Sequence, residues 1–334
     1  MSKIILAIES SCDETACSIV KNGNEILSNV VSSQIATHSK FGGVVPEVAS
    51  RLHVENISLV ISDAINNANV TWDEIDAIAV TKGPGLIGSL HVGMQAAKTL
   101  SWMYNKPLIP VHHIAGHIFA NCFVSDLQYP LMSLVVSGGH TQLVYMSDET
   151  SFEIIGETLD DAIGEAYDKV ARVLGLPYPG GPEIDKLSKV GRATYKLPKP
   201  KTERLFDFSF SGLKSAVLQL IQREKKYDRP LIVEDVAASF QKVAVEILID
   251  KVELALNKYQ PKQLILAGGV AANSHLRSEI KEKIKEYEDI ELIIPPLWCC
   301  TDNAAMIAAA ASISFKNKKF EDLGCTADSS LEIL

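Results

Sequence analysis

Two histidines four residues apart, His113 and His117 in the segment VHHIAGH, carry the clearest chemistry in the chain, with a lone Asp302 near its other end. Residues i and i+4 share one face of a helix, so both imidazoles can reach one ion. Two imidazoles and a carboxylate make a donor set that leaves coordination positions open for a substrate. The same spacing occurs in the HExxH motif of metalloproteases, where the Glu beside the first His is the general base. Here Ile114 follows His113, so that base is missing. The bland alternatives are a polar helix face for the pair and a capping role for Asp302, which opens a helix and is favoured there by the dipole.

Three glycine turns add a second kind of chemistry. SGGHT (Ser137 to Thr141) sits between two predicted strands, and free backbone N–H groups in such a turn suit phosphate or carboxylate oxygens. The bland alternative is an ordinary hairpin. LAGGVAAN (Leu266 to Asn273) is a strand–turn–helix segment in which Asn273 is a helix cap or a contact to nucleotide hydroxyls. GPGLIG (Gly83 to Gly88) fits GxGxxG, but no acidic residue lies between Gly88 and Asp126 to hold a ribose, so a dinucleotide fold is rejected. The stretch Asp160 to Asp185 joins several acids to a Pro-Gly-Gly-Pro turn.

The elements that must position these residues come in a repeated order. IILAIES, ETACSIV and NEILSNVVSS read as strands, PEVASRLHVENISLVISDAINNAN as a long helix, and two further strand–helix pairs lead to His117. PLMSLVVSGG, HTQLVYM and FEIIGETL restart the order, and the helix DNAAMIAAAASISF ends it. A duplicated βββαβαβα unit implies an α/β protein of two mixed sheets covered by helices. The expected division is an N-terminal lobe over 1–125, a C-terminal lobe over 129–315 with an insertion at 186–229, and a tail over 316–334. On this division His113 and His117 end one lobe and Asp302 begins the last helix of the other, so the three would converge on the axis between them.

Bulk properties narrow the classes. The chain has 334 residues, 47% hydrophobic and 22% charged, enough for two cores and ordinary for a globular protein. No apolar run approaches the length of a membrane span, and the N-terminal apolar run is too short for a signal peptide, so a cytoplasmic protein without a membrane is expected. None of the six cysteines forms a CxxC pair, which argues against a zinc knuckle or a disulfide framework. The net charge of −9 argues against bulk nucleic-acid binding, but the distribution is uneven. Lys186 to Arg229 holds 12 Lys+Arg and 4 Asp+Glu, a net of +8, leaving −17 for the rest. That asymmetry suggests a polyanion contact, against the alternative of a solvated insertion on an acidic enzyme.

Taken together, IESSCDET (Ile8 to Thr15), KGPGLIGSLHVG (Lys82 to Gly93), VHHIAGH, LVVSGGHTQL (Leu134 to Leu143), GEAYDKVARVLGLPYPGGPEID (Gly164 to Asp185), FSFSGLKSA (Phe208 to Ala216), LAGGVAANSHLR (Leu266 to Arg277) and CTDNAAMIA (Cys300 to Ala308) resemble the TsaD family, in its bacterial branch. The likeness runs in order over nearly the whole chain. It implies two RNase-H-like lobes of the actin, sugar-kinase and Hsp70 type around a central cleft. The implied activity is transfer of the threonylcarbamoyl group of threonylcarbamoyl-AMP to N6 of adenosine 37 in tRNAs that read codons beginning with A, releasing AMP. The implied partners are tRNA and the TsaB and TsaE proteins.

Position by position, the resemblance implies one divalent metal ion, iron or else zinc, on His113, His117 and Asp302. It implies adenylate binding by Val136, Ser137, Gly138, Gly139, His140, Asp168, Gly181, Asp185 and Asn273. Glu9 and the turn that begins at Lys82 would lie near the reacting end, which makes Glu9 and Lys82 the catalytic candidates. No side chain is an obvious nucleophile, so direct attack by the adenine amine is expected rather than a covalent intermediate. Rival classes are an ATP-binding kinase or ATPase of the same fold, the metalloprotease weakened by Ile114, and a scaffold that only binds nucleotides.

Overall fold

The run IILAIE forms β1 (Ile4–Glu9), which pairs antiparallel with β2 (Glu14–Lys21), and β2 pairs in turn with β3 (Glu25–Ser33). A short helix α1 (Ile35–His38) and the long α2 (Pro46–Ala68) follow, then β4 (Ala77–Gly83), α3 (Ile87–Met103), β5 (Leu108–His112) and α4 (His113–Phe119). The sheet order is β3-β2-β1-β4-β5, with β4 parallel to both its neighbours. β1 is buried over almost its whole length, which is why it reads as a continuous apolar run rather than an alternation. Pro46 supplies the preset φ of a first helical position in α2, and Asn69 ends that helix in the left-handed region at φ 52°.

The second set of elements is β6 (Leu131–Val136), β7 (Thr141–Met146), β8 (Glu153–Glu157), α5 (Ile163–Val173), α6 (Gly180–Ser188), α7 (Ser211–Lys226), α8 (Val233–Tyr259), β9 (Gln263–Ala267), α9 (Ser274–Ile284) and β10 (Glu291–Ile293). Its sheet order, β10-β9-β6-β7-β8, is the first sheet's order read from the other edge. The expected duplication is therefore present strand for strand. α8 forms much of this core, with Val236 to Leu256 contributing most of its buried apolar side chains. The chain ends with α10 (Leu297–Cys300), α11 (Ala304–Lys316) and a tail.

This computed structural model describes residues 2–333. They fall into two units: everything up to Leu127 plus everything from Pro295 onward, and Gln128–Ile294. Residues 295–315, expected in the C-terminal lobe, thus pack with the first unit, as does the tail. The reason is visible in α11, where all eight residues from Ala304 to Ala311 are buried. A helix that is apolar all round needs cover on every side. It finds that cover on β1, β2, β4, β5 and α4. The basic stretch 186–229 is not a bare loop either; it starts inside α6 and contains α7. No described helix is long and apolar enough to cross a membrane.

Candidate metal centre and nucleotide turns

The first unit brings His113, His117 and Asp302 together, with one ligand atom from each lying within 4.8 Å of the others. His113 and His117 are on α4, with rings 4.7 Å apart and nearly perpendicular. α4 can lie close to α11 because residue 116 is glycine; a Cβ there would meet the Ile307 side chain at 2.8 Å. Asp302 precedes α11, and the capping role open to it belongs instead to Asn303, whose side chain accepts from Met306 N–H at 3.1 Å. Asp302 Oδ1 is thereby left to approach His117 Nε2 at 3.1 Å and His113 Nε2 at 3.7 Å. All three ligands therefore come from one unit, not from two.

The donors fit a metal on the protein's own evidence. His117 is buried; its Nε2 faces Asp302 Oδ1 at 3.1 Å without hydrogen-bond geometry, and its Nδ1 makes no hydrogen bond among the described residues. A buried imidazole whose nitrogens make no hydrogen bond is costly, and a divalent ion between Nε2 and the Asp302 carboxylate would relieve that cost. His113 is already oriented: its Nδ1 lies 3.2 Å from Glu9 Oε2 and 3.2 Å from Ser11 Oγ, which turns Nε2 toward Asp302. Burial alone would lower the His113 pKa, but Asp302 and Glu9 outweigh it and raise it to about 9.

Glu9 is the anchor behind His113. Its Oε1 accepts from Ser11 N–H and its Oε2 from Thr81 Oγ1, each at 2.5 Å. Burial favours the neutral acid, but His113, helped by Ser11, holds its pKa below the usual carboxylate value. A carboxylate on the far nitrogen of a ligand histidine fixes ring orientation and tautomer. Close by, burial together with Asp302 and Asp13 pushes the Glu14 carboxyl up to about 10.

Lys82 is not brought to this cluster. Strand alternation turns Thr81 inward to Glu9 and Lys82 away. Its ammonium pairs with Glu321 at 2.9 Å, and that hydrogen bond raises its pKa, so it is no proton acceptor at neutral pH. The catalytic role expected for it is withdrawn.

The second unit carries the other candidates. In the β6–β7 turn, Ser137 N–H donates to His140 O and His140 N–H to Ser137 Oγ, closing the turn around Gly138 and Gly139. Those two glycines are exposed, and among the described residues their own N–H groups make no hydrogen bond. Val136, by contrast, is buried in β6. Asp168 Oδ1 accepts from Gly180 N–H at 2.7 Å, and the Gly181 N–H also donates to this carboxylate, so it caps α6. Burial raises its pKa despite those donors.

Asn273 takes the capping role considered for it, accepting from Leu276 N–H at 2.9 Å. Its amide also donates to Gln241 Oε1 at 2.9 Å, and Gln241 Nε2 donates to Asp185 Oδ1 at 3.1 Å and to Ser188 Oγ at 2.7 Å. Asp185 further accepts from Ser274 Oγ and pairs with Lys189. A cleft of about 430 Å³ lies against this network, lined among others by Ser188, Lys189, Gln241, Lys242, Ser274 and His275.

Sequence reasoning missed Gln241, Thr81 and Ser11. Gln241 is 3% exposed among the mostly apolar buried residues of α8, and a lone buried amide there was the available signal. Thr81 and Ser11 gave no comparable signal.

Comparison with known proteins agrees with these features. The TsaD family profile, described as tRNA N6-adenosine threonylcarbamoyltransferase, matches residues 25–309. Relatives carrying that description include one from Bacillus cereus, 56% identical over 99% of this chain and 96% of its own length. Another, from Bacillus subtilis, is 58% identical over 93% and 90%, and one from Listeria welshimeri is 59% identical over 95% and 92%. Among solved structures, HypF of T. kodakarensis aligns with a TM-score of 0.65 at 12% identity, over 94% of this chain and 48% of that one. The activator component of a 2-hydroxyglutaryl-CoA dehydratase from Acidaminococcus fermentans aligns at 0.53 and 14%, over 95% and 98%. These structural likenesses bear on the fold alone, a pair of RNase-H-like units. With a duplicated sheet, a His-His-Asp cluster built on two buried histidines and curated relatives that match almost end to end, the chain belongs to the TsaD family.

Proposed function

We propose that this protein is a tRNA N6-adenosine threonylcarbamoyltransferase, which moves the threonylcarbamoyl group of threonylcarbamoyl-AMP onto N6 of adenosine 37 in tRNAs reading codons that begin with A. The observation that carries the proposal is the near full-length identity to relatives of that name, joined to a donor set suited to carbonyl activation. When bound at His113, His117 and Asp302, a divalent ion would supply Lewis-acid polarisation of the carbamoyl group, and iron, with zinc as the alternative, suits two imidazoles and a carboxylate.

The protein's own groups do the rest. Glu9 acts through His113, holding that ring in place; its oxygens are engaged by Ser11, Thr81 and His113, which argues against a role as general base. The N–H groups of Gly138 and Gly139, with Val136, Ser137 and His140 shaping their turn, would bind the AMP phosphate, where charge develops as AMP departs. Asp168, Gly181, Asp185 and Asn273 would orient the adenosine. The adenine N6 attacks the carbamoyl carbon, the bond from that carbon to the phosphate oxygen breaks and releases AMP, and the proton lost by the amine passes to solvent. No protease reading gains support, because buried Ile114 occupies the position of the missing base.

The tRNA surface is proposed to include the basic stretch. Lys186, Arg192, Lys196, Lys201 and Arg204 are exposed, and none forms an ion pair among the described residues. Lys199 does not belong in that set; it is paired with Glu246 and Asp250. TsaB and TsaE are the proposed protein partners, and the cytoplasm the proposed compartment.

Incubation with threonine, bicarbonate, ATP, an upstream synthase, both partners and unmodified tRNA, followed by nucleoside analysis, tests the proposal. Threonylcarbamoyladenosine that appears only when this chain is present is the expected result. Its absence, with an active synthase and intact tRNA, would sink the assignment.

A further inference from the structure

We infer that the C-terminal tail is a positioning element for the metal-binding helix: through Leu331 it holds the His112 imidazole in the one tautomer that caps α4. The inference rests on reading α4 as the metal-binding helix. Glu321 N–H donates to Leu108 O, and Cys325 is buried in the first unit's core, so the tail is anchored before it reaches the site. Asp328 N–H then donates to Lys82 O at 2.9 Å, and Gly85 N–H donates to Ser329 O at 3.3 Å. A Cβ on Gly83 would run into the Asp328 carbonyl, so this close approach requires glycine. Asp328 Oδ1 accepts from Ser330 N–H at 3.0 Å, which turns the tail toward His112. Lys82 and the turn after it, whose Gly83 pairs with His112 across β4 and β5, are thus where the tail docks.

The contacts at His112 fix which ring nitrogen donates and which accepts. His112 Nε2 lies 2.9 Å from Leu331 O, and a carbonyl oxygen only accepts, so Nε2 carries the proton. Nδ1 accepts from Ile114 N–H at 3.1 Å, so it carries none. One ring thus links the tail to the first turn of α4, immediately before His113. α4 has only seven residues, too few to hold its own direction without tertiary support. An unfixed ring could rotate away, leaving the Ile114 N–H without a partner in the interior.

The test compares the full chain, a chain ending at Ala327, His112→Ala, and the combination. Zinc affinity is read by competition with a chelator, and the His112 side-chain nitrogens by 15N NMR. Each single change should weaken zinc binding about tenfold, in the range for groups that orient metal ligands. The combination should be no weaker than either, because both cut one link. In the full chain the nitrogens should show Nε2–H and bare Nδ1, and in the shortened chain an averaged pair. If the shortened chain does not fold, the NMR pattern of the full chain and a comparison of His112→Asn with His112→Ala carry the test. Asn can cap the Ile114 N–H and should retain most of the affinity that Ala loses. Full zinc affinity in the folded shortened chain, additive losses, an Nδ1–H ring, or Asn as weak as Ala would each overturn the inference.

Discussion

The two units share a sheet order but treat the turns at their strand ends in opposite ways. In the first, the β1–β2 turn is sealed: Ser10 and Ser11 are each 2% exposed, Ser10 Oγ bonds Ser89 O, and Ser11 O accepts from Leu86 N–H. The turn after β4 is covered by the tail. In the second, the corresponding β6–β7 turn is open, and a Cβ on Gly138 or Gly139 would meet nothing within 4 Å. Gly269, after β9, is equally open. One scaffold thus supports two chemistries. Where the protein's own chain occupies the backbone donors, side chains are left to act; where the donors are left unfilled, the backbone itself can hold a ligand.

Cutting the side-chain chemistry of the first unit should have the largest effect. Asp302→Ala or His117→Ala should lose the metal and lower transfer by more than about 100-fold, while adenylate binding to the second unit survives. Metal analysis and calorimetry with an adenylate analogue check both halves. A variant with full metal content and full activity would break the assignment. Glu9→Gln keeps the volume but weakens the hold on His113. Metal affinity should fall roughly 10- to 100-fold, as chelator competition would show.

The complementary change belongs to the open turn. Gly138→Asp fits sterically and places a carboxylate where a phosphate is proposed to bind. Adenylate affinity should drop at least about tenfold, or ~1.4 kcal/mol, with metal content unchanged. The smallest effect is expected at the basic stretch. Lys196→Glu with Lys201→Glu should weaken tRNA binding and lower its salt slope by about two if each lysine meets one phosphate. Binding that is unchanged across salt concentrations would exclude this surface.

Much of this was legible in the sequence because it is local. Strand–helix alternation revealed the duplication, and i,i+4 spacing paired His113 with His117. Membership of α11 in the first unit was not legible, since alternation alone assigns a last helix to the lobe that precedes it. What decided the matter was burial on all sides of Ala304 to Ala311. The Glu9 network was hidden for a similar reason: its links to Thr81 and His113 span 72 and 104 residues. Asn303 illustrates a finer limit. Asp302 and Asn303 are both good caps by type, and only the geometry shows which one caps and which one faces the histidines.

The division of labour between the units is tested most directly on one preparation, stripped of metal and then reloaded. Transfer of the threonylcarbamoyl group to tRNA and binding of an adenylate analogue are measured in each state. The account predicts that stripping abolishes transfer, leaves adenylate binding within about twofold, a difference of only ~0.4 kcal/mol, and is reversed by reloading. Undiminished transfer by the stripped protein, or loss of both properties together, would contradict it.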